Sequence, residues 1–273
     1  MLVFQRFIKT TLENITIPHS VTKIENEAFY RTGLSSMIIP NSVSTIHNHV
    51  FAYCNNLTEV YIPESVESIG EGNFLFCLNL ESATVCSKET GFGTFYNCIN
   101  LANVELSDNV EKISGSTFYG CKSLETIELG DSITLIHYGA FWECEKLKSI
   151  TIPQNVRYLG NFLLANCLSL ESVVSLIDKP VEVRYDSDKC FGEIYAGPIL
   201  YVPYGTKALY QIHEQWSGFK EIIEMDPTGI SVILDDDCNA SSNYSINGMK
   251  TSNTYKGLNI IRMNNGKTRK VMK

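Results

Sequence analysis

Along most of the chain the apolar residues fall in a recurring order rather than in one helical or one strand period. In LTEVYIPESVESIGEGNFLFCLN, from Leu57, the pair Val60 and Ile62 alternates with polar neighbours, which predicts a short strand with one inward face. Pro63 has no N–H to donate and ends the pairing, and Glu64-Ser65 makes the turn. Val66 and Ile69 supply a second inward pair, and Phe74 fills the coil before Cys77. The same order returns in LETIELGDSITLIHYGAFWECEK from Leu124.

Copies begin at Leu12, Leu34, Leu57, Leu80, Leu101, Leu124, Leu147 and Leu170, at steps of 22, 23, 23, 21, 23, 23 and 23 residues. A fixed period in this range signals a solenoid or a propeller. One coil cannot bury its own apolar face. Stacked on its neighbours, each contributes some six inward side chains worth roughly 1.5–3 kcal/mol apiece. At ~4.8 Å per coil, eight coils span on the order of 40 Å.

The pattern L-x-x-I-x-I-P-x-S-V-x-x-I-x-x-x-A-F-x-x-C resembles the repeat of BspA-like leucine-rich repeat proteins. Leu34–Asn56 and Leu147–Ser169 are close copies, while the coil from Leu80 is two residues short with Cys86 at the proline position, and Leu163-Leu164 replace Ala-Phe. The expected fold is a right-handed leucine-rich-repeat-type solenoid, mainly β with short helical or irregular turns. It is closed by a β/α cap and followed by a small β tail. After Leu170 the pattern loosens. Cys190 lies 23 residues after Cys167, yet Phe191 takes the phenylalanine position, so a four-residue insertion makes that spacing a coincidence. In the closing segment a strand is expected at Leu200–Val202, a turn at Pro203–Thr206 and a short helix at Lys207–Trp216, with Phe219, Ile222 and Ile223 covering the last coil.

The domain reading is a truncated N-terminal segment at 1–11, a solenoid at 12–225 with its cap at 191–225, a linker at 226–243 and a small basic β tail at 244–273. The segment before Leu12 is too short to cap an array, and Val3-Phe4 looks like the remnant of an earlier coil, so a truncated or mis-started copy of a longer exported protein is expected. In the tail, turns are expected at Asn247-Gly248, Lys256-Gly257 and Asn265-Gly266. Tyr244, Gly248, Gly257, Gly266 and the basic end are similar to the sorting tails of type IX secretion; an ordinary small β module is the plainer reading.

Composition narrows the function. The chain carries −8 in all and its last thirty residues carry +7, so residues 1–243 carry −15. That argues against a nucleic-acid binder, which needs clustered Lys and Arg. No apolar run reaches the ~18 residues of a membrane helix. MLVFQRFIKT lacks the charge-then-apolar order of a signal peptide, so a cytoplasmic location stays open beside the exterior one that the resemblance implies.

Candidate chemistry is sparse. Cys54, Cys77, Cys98, Cys121, Cys144 and Cys167 invite a disulfide or metal reading, but no C-x₂₋₄-C spacing occurs and nine cysteines is odd. Free buried thiols at a coil corner are simpler. His47, His49 and the equivalent His137 read as surface side chains, and Asp235-Asp236-Asp237 lacks the alternation and central glycine of a calcium loop. The sequons at Asn14, Asn56, Asn239 and Asn243 matter only in a eukaryotic secretory route. No nucleophile, metalloprotease or phosphate-loop motif is present, so no enzyme, metal or cofactor is expected.

There remains the outward stripe of the strands: Thr16, Ile38, Tyr61, Thr84, Glu105, Glu128 and Thr151. Ile38, Tyr61, Thr84, Glu105, Glu128 and Thr151 are the candidate partner-binding residues, since solenoids present such faces to partners. The resemblance implies a bacterial surface or secreted adhesin contacting a protein or glycan at the cell exterior. A structural spacer or truncated gene product without a ligand, and a cytoplasmic interaction scaffold, are the alternatives.

Overall fold

Each coil turns three corners, and each side is tied to the next coil by its own row of hydrogen bonds. The computed structural model describes residues 12–181, 190–191 and 197–225, together with the tail strands Asn243–Tyr244, Lys250–Thr251, Asn259–Arg262 and Thr268–Val271. In the coil from Leu57, strand Glu59–Ile62 buries Val60 and Ile62 and exposes Glu59 and Tyr61, as its alternation predicts. Pro63 stops the strand, its carbonyl accepts the Val66 N–H at 3.2 Å, and a two-residue strand Ser68–Ile69 follows. Phe74 then turns inward and Cys77 closes the coil.

The first row is parallel pairing on the strand face. Glu59–Ile62, Ser82–Val85 and Asn103–Leu106 form one sheet, extended by a bridge from Ile38 to Tyr61. Ser149–Ile152, Ser172–Ser175, Ile199–Val202 and Glu221–Glu224 form another, extended by a bridge from Thr126 to Ser149. Between Asn103–Leu106 and the segment around Thr126 this row is interrupted. There Val104, Leu106 and Leu129, inward by pattern, are only half-buried. Glu105 and Glu128 flank the interruption, and like charges opposite each other oppose pairing.

The second row joins the short strands Lys23–Ile24, Thr45–Ile46 and Ser68–Ile69, and then Lys112–Ile113, Leu135–Ile136 and Tyr158–Leu159. The third lies at the phenylalanine turn. His49, Phe51 and Tyr53 donate their N–H groups to the carbonyls of Glu71, Asn73 and Leu75 at 2.8, 2.9 and 2.7 Å. The same triplet recurs from Ser116, Phe118 and Gly120 to Tyr138, Ala140 and Trp142. The residues two before and two after each phenylalanine are left-handed, including His49 (φ 55°) and Tyr53 (φ 61°). Such backbone costs of order 1 kcal/mol for a non-glycine residue and persists where bonds over-determine it; here three amides per coil do so.

Phe29, Phe51, Phe74, Phe95, Phe118 and Phe141 stack through the core at centroid spacings of 5.2–5.6 Å and within 14° of parallel. Leu164 ends this ladder. The short coil from Leu80 loses its two residues between Cys86 and Phe95, and buried Thr90 takes the inward isoleucine position. Its hydroxyl meets Thr117 Oγ1 at 2.7 Å and accepts the Ser114 N–H at 2.9 Å.

The cap differs in two details from the sequence expectation. The helix is Lys207–Ile212, not Lys207–Trp216, because His213 is extended. Tyr210 and Trp216 are both fully buried, and six residues along an ideal helix would set them ~120° from a common face. Ending the helix lets Trp216 meet Tyr210 at 5.0 Å and Phe191 at 4.7 Å. The Tyr210 hydroxyl also bonds Ser175 Oγ at 2.7 Å and the Ile177 carbonyl at 2.6 Å. Phe219 and Ile222 join the main core, whereas Ile223 belongs to a second, outer cluster with Val174, Tyr201 and Met225.

The tail strands are antiparallel, with Asn259–Arg262 paired to both Asn243–Tyr244 and Thr268–Val271. The expected turns at Gly248, Gly257 and Gly266, the 226–242 stretch with Asp235–Asp237, and residues 1–11 lie outside the described residues.

Candidate functional site

The strands carry the candidate residues in register. Tyr61 pairs with Thr84 and Thr84 with Glu105, while Ile38 bridges to Tyr61. These four form one run. Thr151 lies in the second sheet, paired to Val174, and Glu128 lies two residues past the Thr126 bridge to that sheet, on the segment left unpaired toward Asn103–Leu106. Ile38 is 80% and Tyr61 45% exposed, Glu105, Glu128 and Thr151 are exposed, and Thr84 is half-buried. Beyond Thr151 the stripe changes character, since Val174 and Tyr201 on the same outer face are buried. The exposed part thus offers an aliphatic and a phenolic contact at one end and carboxylates further along.

Cys86, at the proline position, stands beside Tyr61, and its thiol raises the Tyr61 phenol above its ordinary range. Coils are also tied at the surface by Lys112–Glu89 and Lys122–Glu145, both 2.6 Å, and Lys148–Glu125 at 2.8 Å. Such exposed pairs are worth about 0–1 kcal/mol each.

The cysteines have a structural task. Cys77, Cys98, Cys121, Cys144 and Cys167 each donate S–H to a phenylalanine carbonyl of the preceding coil: Phe51, Phe74, Phe95, Phe118 and Phe141, at 3.0–3.3 Å. Cys54 does so to Phe29 and also meets the Thr32 hydroxyl, which stands where a cysteine stands in later coils. Burial raises these thiols, Cys167 to about 12, so they stay protonated and remain donors. Cys190 points instead at Gly160 O, 3.6 Å away, in keeping with its displaced position in the repeat.

The histidines do not converge. His47 lies 3.7 Å from Glu25, whereas His137 packs 5.0 Å from Tyr158, with its basicity lowered by burial and by Lys112. Among the described residues no three metal-ligating side chains come together.

A second aromatic ladder is a feature the sequence reading missed. Tyr30, Tyr53, Phe76, Tyr96, Tyr119, Trp142 and Phe162 run along the turn side at 4.4–6.0 Å. Six of them follow the core phenylalanine by one or two residues, whereas Phe162 stands two residues before Leu164, so no fixed template column betrays them. Ring packs on ring between coils, which leaves the ladder to hold the stack rather than to offer free ring faces.

Comparison with known proteins accords with this geometry. The profile of the BspA type leucine-rich repeat region matches residues 4–94 and 88–191, with six copies. A search of curated proteins finds none that matches. A leucine-rich repeat protein from Bacteroides ovatus is similar at TM-score 0.59 and 26% identity, over 64% of this chain and 48% of that one. A leucine-rich cell surface protein from Faecalibacterium prausnitzii gives TM-score 0.44 and 25% identity, over 67% and 59%. The chain therefore spans about half the length of these structures. No helix among the described residues is long and apolar enough to cross a membrane. With six repeat copies over more than half its length and coils of the corresponding build, the chain belongs to the BspA-type leucine-rich repeat family.

Proposed function

We propose that this chain is a non-catalytic binding module of a bacterial surface or secreted leucine-rich repeat protein, holding a protein or glycan partner at the cell exterior on its strand face. The observation that carries the reading is the exposure of Ile38 and Tyr61, side by side across a parallel bridge, with carboxylates further along the same stripe. Exposed aromatic and aliphatic groups on a rigid face lose little freedom on binding, and aromatics are enriched at energetic centres of interfaces. Six stripe positions at ~4.8 Å per coil extend about 25 Å.

The test is binding of the purified chain to an array of matrix proteins and glycans, alongside the triple variant Tyr61→Ala, Glu105→Lys, Glu128→Lys. Saturable binding that the variant loses is expected. Binding that the variant retains, or none by a folded chain, overturns the assignment to the strand face.

A further inference from the structure

The first step of the repeat is 22 residues, and the missing residue can be located. In the second coil the closing turn reads Cys54-Asn55-Asn56-Leu57; in the first it reads Thr32-Gly33-Leu34. One turn is thus shorter than the next, and a cavity of about 550 Å³ lies where they meet, lined by Glu13, Arg31, Gly33, Tyr53, Asn55 and Asn56. Small-molecule sites commonly enclose about 300–1,000 Å³.

Its polar groups are partly fixed in advance. The Arg31 guanidinium lies 4.9 Å from the Tyr53 ring centre and 5.3 Å from that of Tyr30. Phe76 stacks on Tyr53 at 5.1 Å, so the ladder grips the arginine from one end. Among the described residues Arg31 has no carboxylate partner. Asn56 donates to the Gly33 carbonyl at 3.4 Å and keeps its own oxygen for a ligand. Asn55 accepts the Leu78 N–H at 3.4 Å and keeps its two amide hydrogens. Arg31 and Asn55 therefore supply donors, and Glu13 and Asn56 supply acceptors.

The charges of Arg31 and Glu13 balance, which disfavours a phosphate or other strong anion. The ring contacts already made disfavour a flat apolar ligand. A group that both donates and accepts at several adjacent atoms fits, and vicinal hydroxyls do so. We propose that this notch binds a neutral sugar residue of a glycan, with Arg31 forking across neighbouring hydroxyls and Glu13 accepting from them. The site is separate from the strand face and does not depend on it.

The probes are the methyl glycosides of glucose, galactose, mannose and N-acetylglucosamine, titrated against the full chain by saturation-transfer NMR and calorimetry. At least one is expected to bind saturably in the millimolar range, and Arg31→Ala and Glu13→Gln should each weaken it by about tenfold or more. Arg31→Lys keeps the charge without the planar fork and should lose binding as Arg31→Ala does. The triple strand-face variant should bind as the parent does. Binding by none of the four glycosides, unchanged affinity in Glu13→Gln, or full affinity in Arg31→Lys overturns the proposal. Should Arg31→Ala lower the melting temperature, exposed Glu13 decides the matter. Loss only in the strand-face variant overturns the notch and leaves the strand-face reading standing.

Discussion

Replacing Cys121 by alanine isolates what the thiol ladder contributes. The side chain is fully buried, and its S–H reaches the Phe95 carbonyl at 3.3 Å, which also accepts the Cys98 N–H at 3.1 Å. The carbonyl therefore keeps one partner in the variant, and its loss is a hydrogen bond of about 0.5–1 kcal/mol rather than a full desolvation penalty. The sulfur is comparable to one methylene, about 0.8 kcal/mol of transfer, and the void left behind adds a few tenths. Together these give about 2 kcal/mol. Urea unfolding of the reduced protein, followed by far-UV circular dichroism, should show this as a lower midpoint at unchanged slope. Cys121→Ser keeps a donor and should recover part of the loss, whereas Cys86→Ala at a half-buried surface site should stay within about 0.5 kcal/mol of the parent. Cys121→Val at parental stability would refute the reasoning, because volume alone would then account for the position.

Two further outcomes are expected. A Cβ on Gly160 would stand 2.1 Å from Tyr138 N and 2.5 Å from His137 C, backbone that cannot swing aside; Gly160→Ala should cost roughly 3 kcal/mol or more by urea unfolding. Gly218→Ala meets nothing within 4 Å and should be neutral or slightly stabilising. Burial and Lys112 lower the pKa of His137 in the fold, so its neutral form is favoured there. Its contribution is then complete above the ordinary histidine value near 6.5 and declines as pH falls below it. His137→Gln should flatten the stability profile between about pH 5 and 7 relative to the parent, and parallel profiles would show that the burial of the ring is inconsequential.

Much of the coil was legible because its inward residues are chemically monotonous: leucine, isoleucine, phenylalanine and cysteine return at one spacing. The turn-side bonds were not, because the left-handed positions hold Glu27, His49, Gly72, Ser116 and Gly139, residues with no common preference. Neighbouring coils impose that conformation, so no local signal announces it. The break in strand pairing was hidden for the opposite reason: Glu105 and Glu128 keep the outward pattern faithfully, and only their juxtaposition opposes pairing. In the cap, the helix end followed from two large rings needing the same side, a demand that residue type alone does not express. The 22-residue step could be counted from sequence, but the cavity it opens appears only when one turn is set beside the next.

Resistance of a stacked rod to bending comes from ties placed around its circumference. At the step between the coils from Leu101 and Leu124, the short strands and the phenylalanine turns remain tied, while the pairing on the strand side is missing. The rod is therefore untied on its strand side at this step. What looks like one continuous strand face is two separately paired plates, one bearing Ile38 to Glu105 and the other beginning near Thr126. On the proposed strand-face reading, a small ligand on either plate leaves this joint free, whereas a long rigid partner must span it, so affinity should rise less than proportionally once a partner grows past Glu105.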